Sequence, residues 1–191
     1  MKKTNPCYGE RLDQALALVA DAFRYERRKG SGVPYLTHLM QVAVTVGEYG
    51  GDEDQMIAAL LHDYLEDIPG AKAEQLREMF GDGVTEIVVA LTDSNTHPKP
   101  PWKERKSAYL NHLATSPDRT RLVCAADKLH NAQSMIRDHA NVGPTLWERF
   151  TASREECLWY YQSLCDSLSD GWTEPLLEAL CEAVKTLHTL D

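Results

Sequence analysis

The chain has no apolar run approaching the roughly 18 residues a membrane-crossing helix requires, so no span is expected and no membrane partner. Its first residues, Met1-Lys2-Lys3 followed by Thr4-Asn5-Pro6, have no apolar core of the kind a secretory signal needs. The five cysteines (Cys7, Cys124, Cys157, Cys165, Cys181) form no Cys-x-x-Cys pair and are odd in number. They read as reduced, mostly buried thiols of a cytoplasmic protein rather than a disulfide framework. Positive charge is short as well: 20 Lys and Arg face 29 Asp and Glu, a net charge of −9. That balance argues against nucleic acid or an anionic surface as partner. A small phosphate-rich ligand would need a local basic patch instead. Alternating strand patterns, repeats and low-complexity segments are all missing, and the chain reads as all-α. Its 191 residues fit one domain over positions 1–191.

One stretch organises the rest: Ala58-Ala59-Leu60-Leu61-His62-Asp63-Tyr64-Leu65-Glu66-Asp67. An apolar run ends in four titratable side chains. Read as a continuous helix, it stacks His62 with Glu66 and Asp63 with Asp67, while Ile57, Leu60, Leu61 and Tyr64 bury the opposite face. Charge collected at the end of a buried helix must be neutralised or titrated away, because unpaired buried charge costs several kcal/mol. A divalent cation would neutralise it.

The other parts of the chain follow in order. A first helix is expected over residues 10–29, with Leu12, Leu16, Val19 and Phe23 as its stripe. Its last turn would carry Arg24, Arg27, Arg28 and Lys29, before Gly30-Ser31-Gly32 and Val33-Pro34 break it. A second helix starts near Tyr35-Leu36-Thr37-His38, with Thr37 as its cap, and His38 shares the inward stripe of Val42 and Val46. Gly50-Gly51-Asp52 separates it from the third, which Ile68-Pro69-Gly70 ends. A short amphipathic piece follows (Leu76, Met79, Phe80), then a helix through Val84, Ile87, Val88 and Leu91. Residues 93–101 read as a loop, either a cover over a site or plain surface. Lys103, Arg105 and Lys106 open the next helix, where cations oppose the dipole. Residues 121–135 form a nearly all-apolar helix interrupted by Asp127, and residues 146–168 and 173–190 give two more.

His38, His62, Asp63 and Asp127 thus supply two imidazoles and two carboxylates from three inward-facing helices. Two carboxylates balance one divalent ion, and mixed nitrogen and oxygen donors suit manganese, iron or zinc better than calcium. Water would complete the shell, as hydrolytic sites require.

The set resembles the HD superfamily of metal-dependent phosphohydrolases, and more closely the hydrolase domain of Rel/Spo-type alarmone enzymes, especially the small stand-alone alarmone hydrolases. The likeness spans roughly residues 10–165. It lies in Arg28-Lys29 with Pro34-Tyr35-Leu36-Thr37-His38, in the stretch ending Glu66-Asp67, in Phe80-Gly81-Asp82-Gly83-Val84, and in Ala125-Ala126-Asp127-Lys128-Leu129-His130-Asn131. Leu39 stands where the family usually has proline, Gln133 replaces an arginine and Ser134 a threonine, and one extra residue lies between Arg28 and His38.

The resemblance implies one divalent cation, Mn²⁺ by preference, and hydrolysis of the 3′-diphosphate of guanosine tetra- or pentaphosphate. Glu66 and Asp67 would position water and move protons, their roles undivided. By the resemblance Arg28 and Lys29 would hold the base and Asn131 with Ser134 the ribose; the basic clusters at Arg24 and at Lys103 to Lys106 are then the candidates to meet the distal phosphates. Another phosphorylated nucleotide (an adenine alarmone or a nicotinamide dinucleotide phosphate) stays open as substrate. So do a metal-bound signalling module without turnover, and self-association into a homo-oligomer.

Overall fold

The apolar run before His62 needs cover on every side, and the neighbouring helices supply it. Residues 7–94 and 100–191 are described by the computed structural model. The elements are α1 (Glu10–Ala22), α2 (Leu36–Glu48), α3 (Glu53–Leu61), α4 (Tyr64–Asp67), α5 (Ala73–Phe80), α6 (Asp82–Leu91), α7 (Trp102–Ala114), α8 (Asp118–Val142), a 3₁₀ segment (Gly143–Arg149), α9 (Arg154–Ser169) and α10 (Pro175–His188). One isolated antiparallel bridge, Arg27 with Pro34, is the only extended pairing among the described residues. The all-α expectation holds.

Helix α3 packs against α1, α2, α6 and α8, and Ile57, Ala58, Ala59, Leu60 and Leu61 are all buried. Each large aliphatic side chain so buried stabilises by about 1.5–3 kcal/mol, which holds this helix to one rotational setting. Its start is capped in both directions: Asp52 accepts from the Gln55 N–H at 3.0 Å, and the Gln55 side chain accepts from the Asp52 N–H at 3.0 Å. The preceding turn, residues 49–52, requires glycine. A Cβ on Gly51 would come within 2.4 Å of Val46 Cγ1 and 2.9 Å of the Val46 carbonyl oxygen. So short a turn lays α2 and α3 side by side, with the start of α2 against the end of α3. The long α8 crosses them both and also meets α6 and α10.

The first helix stops at Ala22 rather than reaching residue 29. Phe23 is buried and stacks on Tyr35 with ring centroids 5.4 Å apart. The chain then folds back, with Arg28 N–H donating to the Val33 carbonyl and Tyr35 N–H to the Glu26 carbonyl, both at 2.9 Å. Arg27, Arg28 and Lys29 therefore lie on a hairpin beyond the helix, and Arg24 alone stays at the end of α1. Thr37 is not a cap; its hydroxyl donates to the Pro34 carbonyl at 2.8 Å inside the first turn. Leu16 and Met79, expected in apolar stripes, are exposed on sides of α1 and α5 that no helix among the described residues covers. The span 146–168 divides into the 3₁₀ segment and α9, since Ser153 and Glu156 form a reciprocal cap that starts a new helix. The helix expected over 121–135 extends to Asp118–Val142. Cys124, Cys157 and Cys165 are buried, Cys181 is half-buried and Cys7 exposed, all as free thiols. Within the loop expected at 93–101, residues 95–99 lie outside the described residues, as do residues 1–6. Among the described residues, no helix is long and apolar enough to cross a membrane.

Candidate metal centre

His38 is the third residue of α2, and His62 directly follows the last residue of α3. The side-by-side arrangement of those helices brings the two rings to 5.1 Å between centroids. Asp127 enters from the middle of α8, where its neighbours Leu122 to Ala126 are all buried. Asp127 Oδ1 lies 3.2 Å from His38 Nε2 and 3.5 Å from His62 Nε2. Asp63 Oδ2 lies 3.0 Å from His62 Nε2 and 3.7 Å from His38 Nε2. With metal–donor bonds of about 2.0–2.2 Å, neighbouring donors around one ion stand about 3.0–3.5 Å apart. The donor atoms of His38, His62 and Asp127 all lie within 4.8 Å of one another, so these three can hold a divalent cation, and the Asp63 oxygen borders the same space. His62 Nε2 is buried with no hydrogen-bond partner; Asp63 is near enough to attract it but not aligned to accept from it. A buried ring nitrogen with no hydrogen-bond partner, set among carboxylates, is what a cation would satisfy.

The continuous helix expected over residues 58–67 is interrupted at His62–Asp63, where Asp63 has φ −95° and ψ −1°. In a helix, adjacent side chains point about 100° apart, so regular geometry does not aim both at one ion. Easing the backbone at Asp63 lets consecutive residues converge, and a single turn, α4, then carries Glu66 and Asp67. The i→i+4 bond from Asp67 N–H to the Asp63 carbonyl survives at 2.9 Å. The carbonyl end of α3 also carries partial negative charge, which favours a cation.

A second ring of contacts orients the donors. His62 Nδ1–H donates to the Ala59 carbonyl at 2.7 Å, leaving Nε2 for the centre. The Tyr35 phenol donates to Asp63 Oδ2 at 2.6 Å. Asn131 Nδ2 donates to Asp127 Oδ1 at 2.6 Å, and Lys128 Nζ to Asp127 Oδ2 at 2.5 Å. His38 Nδ1 lies 2.6 Å from His130 Nδ1. The sequence motifs contain Tyr35, His130 and Lys128 without giving them a role. The signal for the first two was spacing: Tyr35 stands three residues before His38, and His130 three after Asp127, helical neighbours of the donors.

The charges are strongly coupled. Burial opposes charge on His62, yet Asp63 and Asp127 outweigh it and raise its pKa well above the usual imidazole value. Burial dominates at His38 and lowers its pKa despite Asp127. Burial would also raise both carboxylates, but His62 beside Asp63, and Lys128 with His62 beside Asp127, hold them below the ordinary range. His130 is pushed down to about 4 by burial and by the charges of His38, Arg28 and Arg137. Burial, then Asp63, raises the Tyr35 phenol, so it stays a donor.

The remaining expected site residues divide. Arg28 reaches the centre: its guanidinium donates to Asn131 Oδ1 at 2.7 Å and lies 5.7 Å from the Tyr35 ring centroid. Glu66 is half-buried and Asp67 exposed, and the charge of Asp67 acts on the Tyr35 phenol. Ser134, half-buried, accepts from Arg137 at 3.0 Å. Lys29 is exposed at the hairpin turn. Arg24 is not brought in; it pairs with Asp21 at 3.0 Å on the outer end of α1. Lys103 lies over the Trp159 ring at 4.9 Å. Beside it, Arg105 and Lys106 both engage Asp93, Lys106 at 2.6 Å. Lys106 and Lys128 share the Tyr109 ring, at 5.9 and 6.0 Å, so Lys106 abuts the centre through that tyrosine.

The family model described as an HD domain matches residues 15–158. MESH1 of Xenopus tropicalis, a guanosine-3′,5′-bis(diphosphate) 3′-pyrophosphohydrolase, is 35% identical over 127 residues, 65% of this chain and 69% of that protein. SpoT of Escherichia coli strain K12, a bifunctional (p)ppGpp synthase/hydrolase, is 33% identical over 132 residues, 66% of this chain but 18% of SpoT. A solved structure described as a metazoan ortholog of SpoT that hydrolyzes ppGpp superposes with a TM-score of 0.79 at 28% identity, covering 98% of this chain and 99% of that one.

Proposed function

The chain belongs to the HD-domain family, and within it to the group of small guanosine-3′,5′-bis(diphosphate) 3′-pyrophosphohydrolases; from that premise we propose that it hydrolyses the 3′-diphosphate of guanosine tetra- or pentaphosphate. The products are pyrophosphate and GDP or GTP. The observation that carries this reading is the convergence of His38, His62, Asp63 and Asp127 on one buried point, with the Glu66-Asp67 turn directly after it.

In this reading the four residues hold one divalent cation, and we take Mn²⁺ from among the metals that mixed nitrogen and carboxylate donors suit. The bound cation supplies Lewis-acid polarisation of the phosphoryl oxygen and acidifies water at the site. The protein's own groups do the rest. Glu66 and Asp67 orient the attacking water, take up its proton and return one to the leaving oxygen. Arg28 faces the base, Lys29 stands beside it, and Asn131 and Ser134 line α8 at one-turn spacing along the ribose. Lys103 and, further out, Arg24 extend positive charge toward the distal phosphates. We place the protein in the cytoplasm from its free thiols.

The test is an assay of purified protein with Mn²⁺ against guanosine tetraphosphate, its adenine counterpart and the nicotinamide dinucleotide phosphates. Pyrophosphate release from the guanosine compound, abolished by a chelator, is the expected result. Turnover of another nucleotide in its place would move the substrate assignment, and no turnover of any would leave a binding module.

A further inference from the structure

Each donor needs its lone pair aimed at the centre, and the two histidines achieve this by different means. His62 donates its Nδ1–H to a backbone carbonyl, that of Ala59. A carbonyl only accepts, so the tautomer of His62 is settled by the helix itself. His38 has no such acceptor; its Nδ1 faces Nδ1 of His130 at 2.6 Å, with the rings nearly parallel at 26° and centroids 4.8 Å apart. Two imidazole nitrogens at that distance share one proton, so one ring donates and the other accepts. His38 Nε2 lies 3.2 Å from Asp127 Oδ1 and 3.7 Å from Asp63 Oδ2, where its lone pair must be free to bind a cation. A neutral His38 therefore carries its proton on Nδ1 and is the donor.

We propose that His130 is a positioning residue of the metal centre: its Nδ1 accepts the His38 Nδ1–H and selects the His38 tautomer that presents Nε2 to the cation. The inference rests on the metal reading above. Because His130 follows Asp127 by three residues on α8, the helix that supplies one ligand also supplies the acceptor for a ligand on α2, and the contact sets the two helices relative to each other. Acceptors of this kind typically govern metal affinity by 10- to 100-fold, an order-of-magnitude expectation from other metal sites.

The experiment measures binding of Mn²⁺ alone, without nucleotide, by competition with a chelating indicator, for the wild-type protein, His130→Leu and His130→Asn. His130→Leu removes the acceptor and is expected to weaken binding by about 10- to 100-fold at unchanged helical content. His130→Asn retains an accepting oxygen and should recover most of the affinity. A readout on the unmutated chain guards against a variant that fails to fold. Long-range ¹H–¹⁵N spectra of the protein loaded with diamagnetic Zn²⁺ should show His38 protonated at Nδ1. Undiminished Mn²⁺ binding by folded His130→Leu, or His38 bearing its proton on Nε2, overturns the role of His130 alone. Absence of Mn²⁺ binding by the wild-type protein overturns it together with the metal reading.

Discussion

Two clusters of charged residues stand out along the chain, and the fold treats them in opposite ways. His38, His62, Asp63 and Asp127 sit on helices, or directly at their ends, whose inward positions are core. The cations at residues 24–29 sit on a hairpin and its approach, mostly toward water, and those at 103–106 at a helix start, where Arg105 and Lys106 are half-buried. At the first cluster, apolar burial fixes the rotation of every helix, so each polar side chain has one place to go. At the second, no core position dictates direction, and the outcome depends on which partner is within reach. Arg28 finds Asn131 and the metal end, Arg24 finds Asp21, and Arg105 and Lys106 find Asp93. Clusters of equal prominence in a sequence therefore carry unequal information about position.

The sharpest way to break this contrast is at Asp127, where metal binding and folding meet. Asp127→Asn should lose the cation and leave the half-buried Lys128 ammonium without its carboxylate, costing stability up to the about 3–5 kcal/mol of a broken buried pair. Asp63→Asn should lose the cation too but keep a hydrogen bond to the Tyr35 phenol, with a much smaller fall in stability. Elemental analysis with denaturant unfolding of both variants checks this. Two fully metallated, equally stable variants would dissolve the distinction between the clusters.

Next in size is the separation of chemistry from metal binding. Glu66→Gln and Asp67→Asn should each retain metal while the turnover rate drops by roughly 10²–10⁴-fold. Steady-state rates alongside metal content decide it, and near-normal rates in both would make the α4 carboxylates structural.

At the hairpin, Arg28→Ala should raise KM for guanosine tetraphosphate more than it lowers kcat, because the base is remote from the bond being broken. A lost stacking or ionic contact of about 1–3 kcal/mol corresponds to roughly 5- to 150-fold. Alanine variants of Arg27 and Lys29 sharpen the comparison. A KM effect at either neighbour in place of Arg28 would show that the hairpin presents a different side chain to the base.

The smallest effect expected is a pH dependence confined to the metal end. Without metal, His62 keeps its proton beyond the ordinary imidazole pKa because Asp63 and Asp127 outweigh its burial. That stabilisation is complete below the unfolded value of about 6.5 and fades as pH rises through the raised folded value. Asp63 and Asp127 are depressed, so theirs is complete above the unfolded carboxylate range and lost only in stronger acid. Melting temperatures of chelator-treated protein should thus decline above neutrality. Saturating Mn²⁺ should remove the decline, since the cation takes the place of the His62 proton. Parallel curves with and without metal would mean that His62 is already neutral.

How much of this was legible beforehand follows the same division. The inward stripe of His38, Val42 and Val46 was visible from spacing, as were the apolar approach to His62 and the cost of Asp127 inside an apolar helix. In each case the period of the helix alone assigns the face. The break at His62–Asp63 was not visible, because it answers a demand for convergence that only the third dimension poses. Nor was the end of α1 at Ala22, which depends on Phe23 meeting Tyr35 and on a hairpin closed by backbone bonds.

What the amino-acid sequence determined by itself is the class of the fold, the inward faces of α2, α3 and α8, and the ligand types they carry, because helical periodicity and burial are local properties of the chain. What only the tertiary structure decided is which groups meet: the Tyr35 phenol on Asp63, His130 on His38, and Arg28 rather than Arg24 at the centre. Those contacts depend on how whole helices are set against one another, and side-chain hydrogen bonds a few ångströms long register that setting where residue spacing cannot.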